Sequence, residues 1–348
     1  QTAIHKNNNR AAWWRAVSKT RLKERIFALD VNTTILYRHF DVQRDFMPLV
    51  TLLNDVEQTD HDGEDVSEAA LREQLTWTGH NLALDRWVAT LSDNTSLVGY
   101  GAIFKTPNDD CADLYVAVHP EWRRHGIGSE LLAHLLERAH EVGSHTVRVY
   151  AGVQHQAAKL FLSNHGFDPV ATYTRMTIPG SQSFPVPALP PGFVVRSYDQ
   201  IQQIDLFTET TNRCYEGLWG HRQVSQEEVA EWLPHLLAEG IFLLFSPDGV
   251  AVGICRAEIS EHLTTLRGAS TGLVDAPGII SSYREANLYV PLLLTALRWL
   301  APQSPTTIEI ESWGDSADVL AQYRALGFTP MQEATSYSRD LSEIETSL

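Results

Sequence analysis

The segment VAVHPEWRRHGIGSELL, residues 116–132, decides the fold. An apolar strand pattern passes through a turn that holds Arg123 and Arg124, and it enters an amphipathic helix at Gly126 and Gly128. The first amides of a helix have no internal partner and carry partial positive charge. Glycine leaves such amides open to an approaching phosphate. The segment therefore predicts an anion-binding turn, and its spacing matches neither the dinucleotide fingerprint G-x-G-x-x-G nor a Walker loop.

The second half of the chain repeats the pattern of the first. Moving the first half along by 161 residues superimposes core positions, a helix-ending glycine and a following proline without a gap. The superimposed pairs are Arg123 with Arg284, Leu131-Leu132 with Leu292-Leu293, Val147 with Ile308, Val149 with Ile310, Gly166-Phe167 with Gly327-Phe328, and Pro169 with Pro330. A fixed register over this length indicates an internal duplication.

The segment IPGSQSFPVPALPPGF, residues 178–193, separates the two copies, because its five prolines exclude helix and central strand. On each side, strand-like runs alternate with helical patterns, which predicts an α/β fold. In the second copy, TTLRGASTGLV, residues 264–274, is predicted as a strand. The predicted order is a basic N-terminal arm at 1–32, a first domain at 33–178, a linker at 179–192 and a second domain at 193–342.

Composition narrows the class of protein. A net charge of −16 argues against general nucleic-acid binding, and no apolar run reaches the 18 residues that a membrane helix needs. The N-terminal segment lacks the apolar core of a secretory signal. Three scattered cysteines form no disulfide framework, and no metal-binding spacing occurs among the fourteen histidines. We therefore expect a cytoplasmic protein without metal, nucleic-acid or membrane partners.

The motifs resemble those of a known family. The segment 116–132 is similar to the V-x-P-x-x-R/Q-x-x-G-x-G/A segment of the GNAT acyl-CoA-dependent N-acyltransferases. AAKLFLSNHGF at 157–167 and LAQYRALGF at 320–328 resemble the A-x-x-L-Y-x-x-x-G-F segment of that family. The duplicated arrangement, with CYEGLWGHRQVSQEE at 214–228, resembles the tandem GNAT proteins of the mycothiol-synthase type.

The resemblance implies two tandem domains, each with a mixed, mostly antiparallel central sheet flanked by helices and with splayed fourth and fifth strands. It implies that acetyl-CoA binds at the first copy, with its pantetheine on the strand and its pyrophosphate on the amides of the turn. The Val116 N–H would polarise the thioester carbonyl. The implied cofactor-binding residues are Val116, Ala117, Val118, Arg123, Arg124, His125, Gly126, Ile127, Gly128 and Ser129.

The motifs identify the general base and the general acid less clearly than they identify the coenzyme-binding residues. Removing a proton from an alkylamine of pKa about 10.4 costs roughly 4–5 kcal/mol at pH 7, so a base is expected. Ala112 stands where the family often has a glutamate, Asp113 beside it faces the other side of the sheet, and Asp109 and Asp110 lie at the strand entrance. Asp113 is the candidate for the base.

The family's tyrosine, which meets the departing thiolate, is replaced by Leu162 in the first copy; Ser163 and Tyr150 are nearby but unmatched. In the second copy Tyr323 keeps the family's residue type, so Tyr323 is the remaining catalytic candidate.

The two copies have diverged in opposite directions. Asn287 and Tyr289 replace Gly126 and Gly128 in the second copy, so we expect coenzyme binding in the first copy only. The second copy would then act as a buttress and line the acceptor site, for which the loop residues Trp219, His221 and Arg222 are candidates.

Two functions remain open at this point. The first is acetyl transfer to a small-molecule amine by direct attack within a ternary complex. The second is a coenzyme-binding sensor or scaffold with weak or no transferase activity. The identity of the acceptor and the oligomeric state are not predicted.

Overall fold

The computed structural model describes residues 34–64, 66–76, 81–92, 96–105, 110–218 and 223–341. The predicted basic arm at 1–32 lies outside these residues. In the first half the elements are β1 Ile35–His39, α1 Val42–Asp60, α2 Glu68–Thr76, β2 Arg86–Leu91, β3 Leu97–Phe104, β4 Cys111–Val118, α3 Ile127–Glu141, β5 Thr146–Gly152, α4 Gln156–Asn164 and β6 Asp168–Pro179.

The second half follows the same order with two added helices and one added short strand. Its elements are β7 Val194–Ser197, α5 Tyr198–Ile201, α6 Ile204–Tyr215, α7 Gln226–Trp232, β8 Ile241–Phe245, β9 Ala251–Ile259, α8 Glu261–Arg267, β10 Thr271–Asp275, β11 Gly278–Ile279, α9 Tyr289–Leu300, β12 Thr307–Trp313, α10 Ala317–Ala325 and β13 Thr329–Asp340.

Helix α8 corrects the prediction of one strand over residues 264–274. The Ser260 side chain accepts a hydrogen bond from the Leu263 N–H and caps the start of this helix. Gly268, at φ 67°, ends the helix in the left-handed conformation. These two caps stabilise a helix in the first part of the predicted strand, so the strand itself begins only at Thr271.

The thirteen strands of the described residues belong to one sheet, in the order β1-β2-β3-β4-β5-β13-β6-β12-β10-β9-β8-β7, with β11 paired to β9. The sheet is mostly antiparallel; β4 pairs with β5 and β10 pairs with β12 in parallel. The predicted mixed, mostly antiparallel sheet flanked by helices is confirmed.

The two halves exchange their last strands. Strand β6, from the first half, lies between β12 and β13 of the second half. Strand β13 pairs in turn with β5 of the first half. The domain limits at 178 and 193 therefore stay a prediction, which concerns the sequence only. In the structure, the backbone hydrogen bonds of the sheet run across both halves.

Strands β4 and β5 are splayed, as the resemblance implies. They pair only from Cys111–Asp113 with Thr146–Arg148, although β4 stays paired with β3 as far as Val118. We call the open space beyond these paired residues the gap.

Helix α3 lies close against the sheet beside this gap. A Cβ atom on Gly99 of β3 would come within 2.7 Å of the Ile127 side chain and within 2.9 Å of the Leu131 side chain. Glycine is therefore required at residue 99 for the helix to approach. Ile127, Leu131 and Leu135 are each 1% exposed or less, so the first turn of α3 is fixed by the core. None of the helices in the described ranges is long and apolar enough to cross a membrane.

Candidate active site

A cavity of about 1460 Å³ opens at the gap and extends between the two halves. Pockets for drug-sized ligands usually measure about 300–1,000 Å³. The first wall of this cavity is built from β4, β5, the turn before α3 and the end of α1. The second wall is built from β6, β12, β13 and α8. The volume is sufficient for a large ligand in the gap and a second, smaller one beside it.

The glycine turn, residues 123–129, has the backbone of an anion-binding site. Arg124 and Gly126 lie in the left-handed region, at φ 68° and 81°. The N–H groups of residues 124–129 donate no hydrogen bond within the described part of the chain, and no side chain caps α3. Unpaired amides at the start of a fifteen-residue helix fit a phosphate group.

The two glycines of this turn are needed for different reasons. A Cβ on Gly126 would meet nothing within 4 Å, so its positive φ is what requires glycine there. A Cβ on Gly128 would lie 3.6 Å from the Phe161 ring, which is ordinary contact, but a larger side chain there would stand over the amides. His125 and Ser129 are exposed beside them, whereas Ile127 is buried.

Arg123 has a structural role at this turn. Its guanidinium holds both Asp60 carboxylate oxygens, at 2.8 and 2.7 Å, and its Nε donates to the Val118 carbonyl at 3.1 Å. Arg123 lines the cavity, but its guanidinium is already paired with the Asp60 carboxylate. The exposed Arg124 is the arginine of the pair that is free to face an anion.

The amides of β4 alternate between β3 and the gap. His119 N donates to Val98 O at 3.0 Å, which sets the phase of the antiparallel ladder. By this alternation, the Ala117 N–H points to β3, and the Val116 and Val118 N–H groups point into the gap. The Val116 amide therefore lies where the resemblance requires a carbonyl-polarising donor.

Residues 60–64, which begin at the last residue of α1, form a strap across the gap. Asp60 binds Arg123 on the β4 side. Asp62 binds His155 Nε2 at 2.9 Å and Gln154 Nε2 at 2.7 Å on the β5 side. Potential ligand atoms of Asp60, Asp62 and His155 lie within 4.8 Å of one another. We interpret them as an ion-pair strap rather than a metal centre, because protein donors already engage both carboxylates.

Glu64 ends this strap and lines the cavity, and the sequence analysis missed it. Its carboxylate accepts a hydrogen bond from the Tyr115 hydroxyl at 3.2 Å. The side chain is open to the cavity, but the walls around it desolvate the carboxylate and, with the nearby charge of Asp62, raise its pKa to about 7. The two residues are 51 positions apart in the chain, so no local pattern relates them.

The structure gives Asp113 a different environment from the one expected of a free base. Both of its carboxylate oxygens accept hydrogen bonds from Arg148, at 2.7 and 2.8 Å. Asp110 lies outside the cavity lining, and Asp109 lies outside the described residues. Leu162 is buried in the core, and Ser163 is exposed outside the lining. Burial and Asp113 raise the pKa of Tyr150, which lines the cavity, to about 12.

The equivalent region of the second half is filled by its own side chains. Tyr289, which replaces Gly128, is 6% exposed, and Tyr323 is fully buried with its hydroxyl 3.5 Å from Asp315. Tyr323 does not line the cavity, so the structure does not bring it to the other predicted site residues. The acceptor candidates Trp219, His221 and Arg222 lie outside the described residues.

The counterpart of the gap is also closed in the second half. Strands β10 and β12 stay paired as far as Asp275 and Glu311. A bulge at Ala276–Pro277 stands in the place of Val116: Ala276 N donates to Glu311 O at 3.0 Å, and Pro277 has no N–H. No amide is left there to polarise a carbonyl.

The second wall of the cavity combines aromatic rings with charges. The Trp313 ring lies 4.4 Å from Tyr173 and 6.0 Å from Tyr150, measured between centroids. Arg175 of β6 holds Glu311 of β12, with its Nε 3.0 Å from the carboxylate. The exchanged strand β6 therefore supplies part of this wall.

The glycine turn, the gap and the splayed strands of the first half are the features expected of a GNAT-type domain. Residues 49–167 match the model of the acetyltransferase (GNAT) family, and this range includes α1, the strap, the gap and the glycine turn. The chain therefore contains a GNAT domain in its first half.

Comparisons with individual proteins extend the similarity over both halves. The mycothiol acetyltransferase of Tsukamurella paurometabola is 26% identical over 250 residues, which cover 69% of this chain and 82% of that protein. The fold is similar to a GCN5-related N-acetyltransferase from Sphaerobacter thermophilus, with TM-score 0.68 and 18% identity over 88% of this chain and 95% of that one. It is also similar to a tandem GNAT protein from the clavulanic acid biosynthesis pathway, with TM-score 0.61 and 17% identity over 88% and 98% of the two chains.

Proposed function

We propose that this chain is an N-acetyltransferase that moves the acetyl group of acetyl-CoA to the amine of a small polar molecule, with the reaction in the first half. One observation carries the proposal: the glycine turn, the gap and the Val116 amide open into a single cavity. The second half offers Tyr289, Pro277 and a closed strand pair at the equivalent places.

The chemistry follows from these groups. The pyrophosphate would bind the amides of residues 124–129, and the pantetheine would pass through the gap to place the thioester carbonyl on the Val116 N–H. The neutral acceptor amine would attack that carbonyl directly, so that the C–N bond forms as the C–S bond breaks. An N–H donor aimed at the developing oxyanion lowers the barrier, and removing one such donor typically costs about 10²–10³-fold in rate.

The lining of the cavity supports a small, polar, cationic acceptor. The Glu64 carboxylate, which has no described cationic partner, lines the cavity together with the rings of Tyr173 and Trp313. Carboxylates attract an ammonium group, and aromatic faces favour cations by about 0.5–2 kcal/mol. Relatives named mycothiol acetyltransferase also favour a small-molecule acceptor.

Isothermal calorimetry and a thiol-release assay test this function. We expect one acetyl-CoA to bind per chain, and free CoA thiol to appear only when a suitable amine from a panel of polar primary amines is present. Binding of two coenzymes would contradict the assignment to the first half. Tight binding without turnover on any amine would favour the alternative function of a coenzyme-binding sensor.

A further inference from the structure

Two carboxylates of the cavity, Glu57 and Glu64, have no described cationic partner, and Glu64 stands at the gap. Asp60, Glu311 and Glu333 are held by arginines, and Asp62 is held by His155 and Gln154. Glu57, at the end of α1, accepts the Gly63 N–H at 2.8 Å. Glu64 has a single described hydrogen bond, from the Tyr115 hydroxyl, which leaves lone pairs of its carboxylate for a ligand.

The position of Glu64 is fixed from two sides. Tyr115 precedes Val116 on β4, so the tyrosine that holds Glu64 is adjacent to the amide that faces the gap. The strap that carries Glu64 is bound to Arg123 on one side of the gap and to His155 on the other. The carboxylate is therefore held over the place where the strands separate.

We propose that Glu64 is the general base of the acetyl transfer, taking a proton from the ammonium group of the acceptor directly or through one water molecule. This inference rests on the function proposed above. One proton of R–NH₃⁺ passes to the Glu64 carboxylate, and the neutral amine attacks the thioester carbon. The C–S bond then breaks, the thiolate takes the second proton from the new amide nitrogen, and the protonated Glu64 releases its proton to solvent.

The electrostatics of the strap suit this role. Desolvation and the charges of Asp62, Glu57 and Asp60 raise the pKa of Glu64 to about 7, while the hydrogen bond from Tyr115 lowers it. Of the two histidines at the strap, His155 is hydrogen-bonded to Asp62, and His61 is exposed. A base with a pKa near the working pH combines a sufficient ionised fraction with useful proton affinity. Asp113, in contrast, is neutralised by Arg148.

The test compares Glu64→Gln with the intact protein in the thiol-release assay over a range of pH. We expect kcat/KM to fall about 10²–10³-fold, within the usual contribution of a general base. In the intact protein kcat/KM should rise with pH around pH 7, as Glu64 ionises. We expect this rising limb of the pH profile to disappear in the variant, because Gln cannot titrate. The dissociation constant for acetyl-CoA should stay within about twofold, which shows that the variant is folded.

A matched control removes the same charge nearby. Glu68→Gln changes an exposed residue of α2 that is paired with Arg72, and its activity and pH profile should equal those of the intact protein. Repeating the profile with amines of different pKa separates the two sources of a rising limb. The limb of Glu64 keeps its position for every amine, whereas a limb due to the acceptor moves with the pKa of the amine.

Tyr115→Phe tests whether Glu64 acts as a base, because a purely structural role of Glu64 would leave the pH profile in place. Loss of the hydroxyl removes a hydrogen bond that favours the ionised carboxylate, so the pKa of Glu64 rises and the limb moves to higher pH. Glu64→Gln that keeps its activity and its limb would overturn the assignment of the base and leave the proposed function intact. Absence of turnover by the intact protein on every amine would overturn the proposed function and, with it, this proposal.

Discussion

Arg123 and Arg284 occupy equivalent places in the two halves, and each donates from Nε to a backbone carbonyl 3.1 Å away. Beyond this shared contact the two turns differ. After Arg123 the chain presents Gly126 and Gly128 beside free amides, whereas after Arg284 it presents Asn287 and a buried Tyr289. One scaffold therefore supports both a binding site and a solid core.

The comparison separates what the fold supplies from what the site requires. Both halves have the strand, the turn and the helix, and both bring a helix close to a glycine of the sheet, Gly99 or Gly253. The first half adds glycines that expose the amides and ends the β4–β5 pairing early at Asp113. These local changes, and not the overall architecture, determine which copy is open to a ligand.

The exchange of strands gives the largest expected effect. When the halves are expressed separately, with the cut between 181 and 192, neither half should show a cooperative thermal transition by circular dichroism. In the first-half fragment β6 would lose its partners, because among the described strands it pairs with β12 and β13 alone. The loss would be comparable to a whole folding free energy, about 5–15 kcal/mol.

A control for this experiment uses a protease site placed in the same segment. The chain cleaved after folding should run as one species in size-exclusion chromatography. A first half that melts cooperatively by itself, at close to the intact temperature, would show that the exchanged strand is dispensable.

Gly128→Tyr copies the second turn into the first. We expect the affinity for acetyl-CoA to fall at least 100-fold, because a ring beside Phe161 would cover the exposed amides. Calorimetry measures the change. Tyr289→Phe, which alters the ring in the closed copy, is the matched control and should change the affinity less than twofold; unchanged binding by Gly128→Tyr would refute the assignment of the glycine turn.

Asp315→Asn tests the closed copy through its stability. Burial raises the pKa of Asp315 to about 6, so ionising this carboxyl destabilises the folded state. The loss of unfolding free energy is absent below about pH 4, develops between pH 4 and 6, and is complete above pH 6. The variant should therefore gain about 1 kcal/mol of unfolding free energy at pH 8, discounted for partial exposure, and nothing below pH 4. Urea unfolding at the two pH values measures this difference; an equal gain at both would mean that ionisation is not the cause.

Tyr323→Phe should have the smallest effect, with kcat within about twofold of the intact protein. Its ring stays packed and only the long contact of the hydroxyl with Asp315 is lost. Steady-state kinetics with a saturating amine measure it. A hundredfold decrease in kcat would place the chemistry in the second half.

The parts of the molecule that could be predicted from sequence are those with local patterns. The turn at Arg123–Ser129, the duplication and most strands and helices follow from residue spacing within short segments. The splay of β4 and β5 was predicted through the resemblance, and the pairing confirms it. Local patterns do not specify which strand pairs with which, so the exchange of β6 and β13 could not be predicted.

The candidate site was only partly predictable for the same reason. Glu64 lies in an acidic loop, and its contact with Tyr115 forms only when α1 folds over the sheet. The pairing of Asp113 with Arg148 and of Arg123 with Asp60 depends on neighbouring strands and helices that are distant in sequence. Residue type identified these groups as chemically capable, but their partners determine whether they are available.

The unbroken sheet also constrains how ligands enter. Two domains joined by a flexible hinge can move apart to admit a ligand. Here backbone hydrogen bonds connect β5, β13, β6 and β12 across the middle of the molecule. A ligand must therefore enter the cavity past local segments such as the strap, which Asp60 and Asp62 tie to Arg123 and His155 through side-chain contacts.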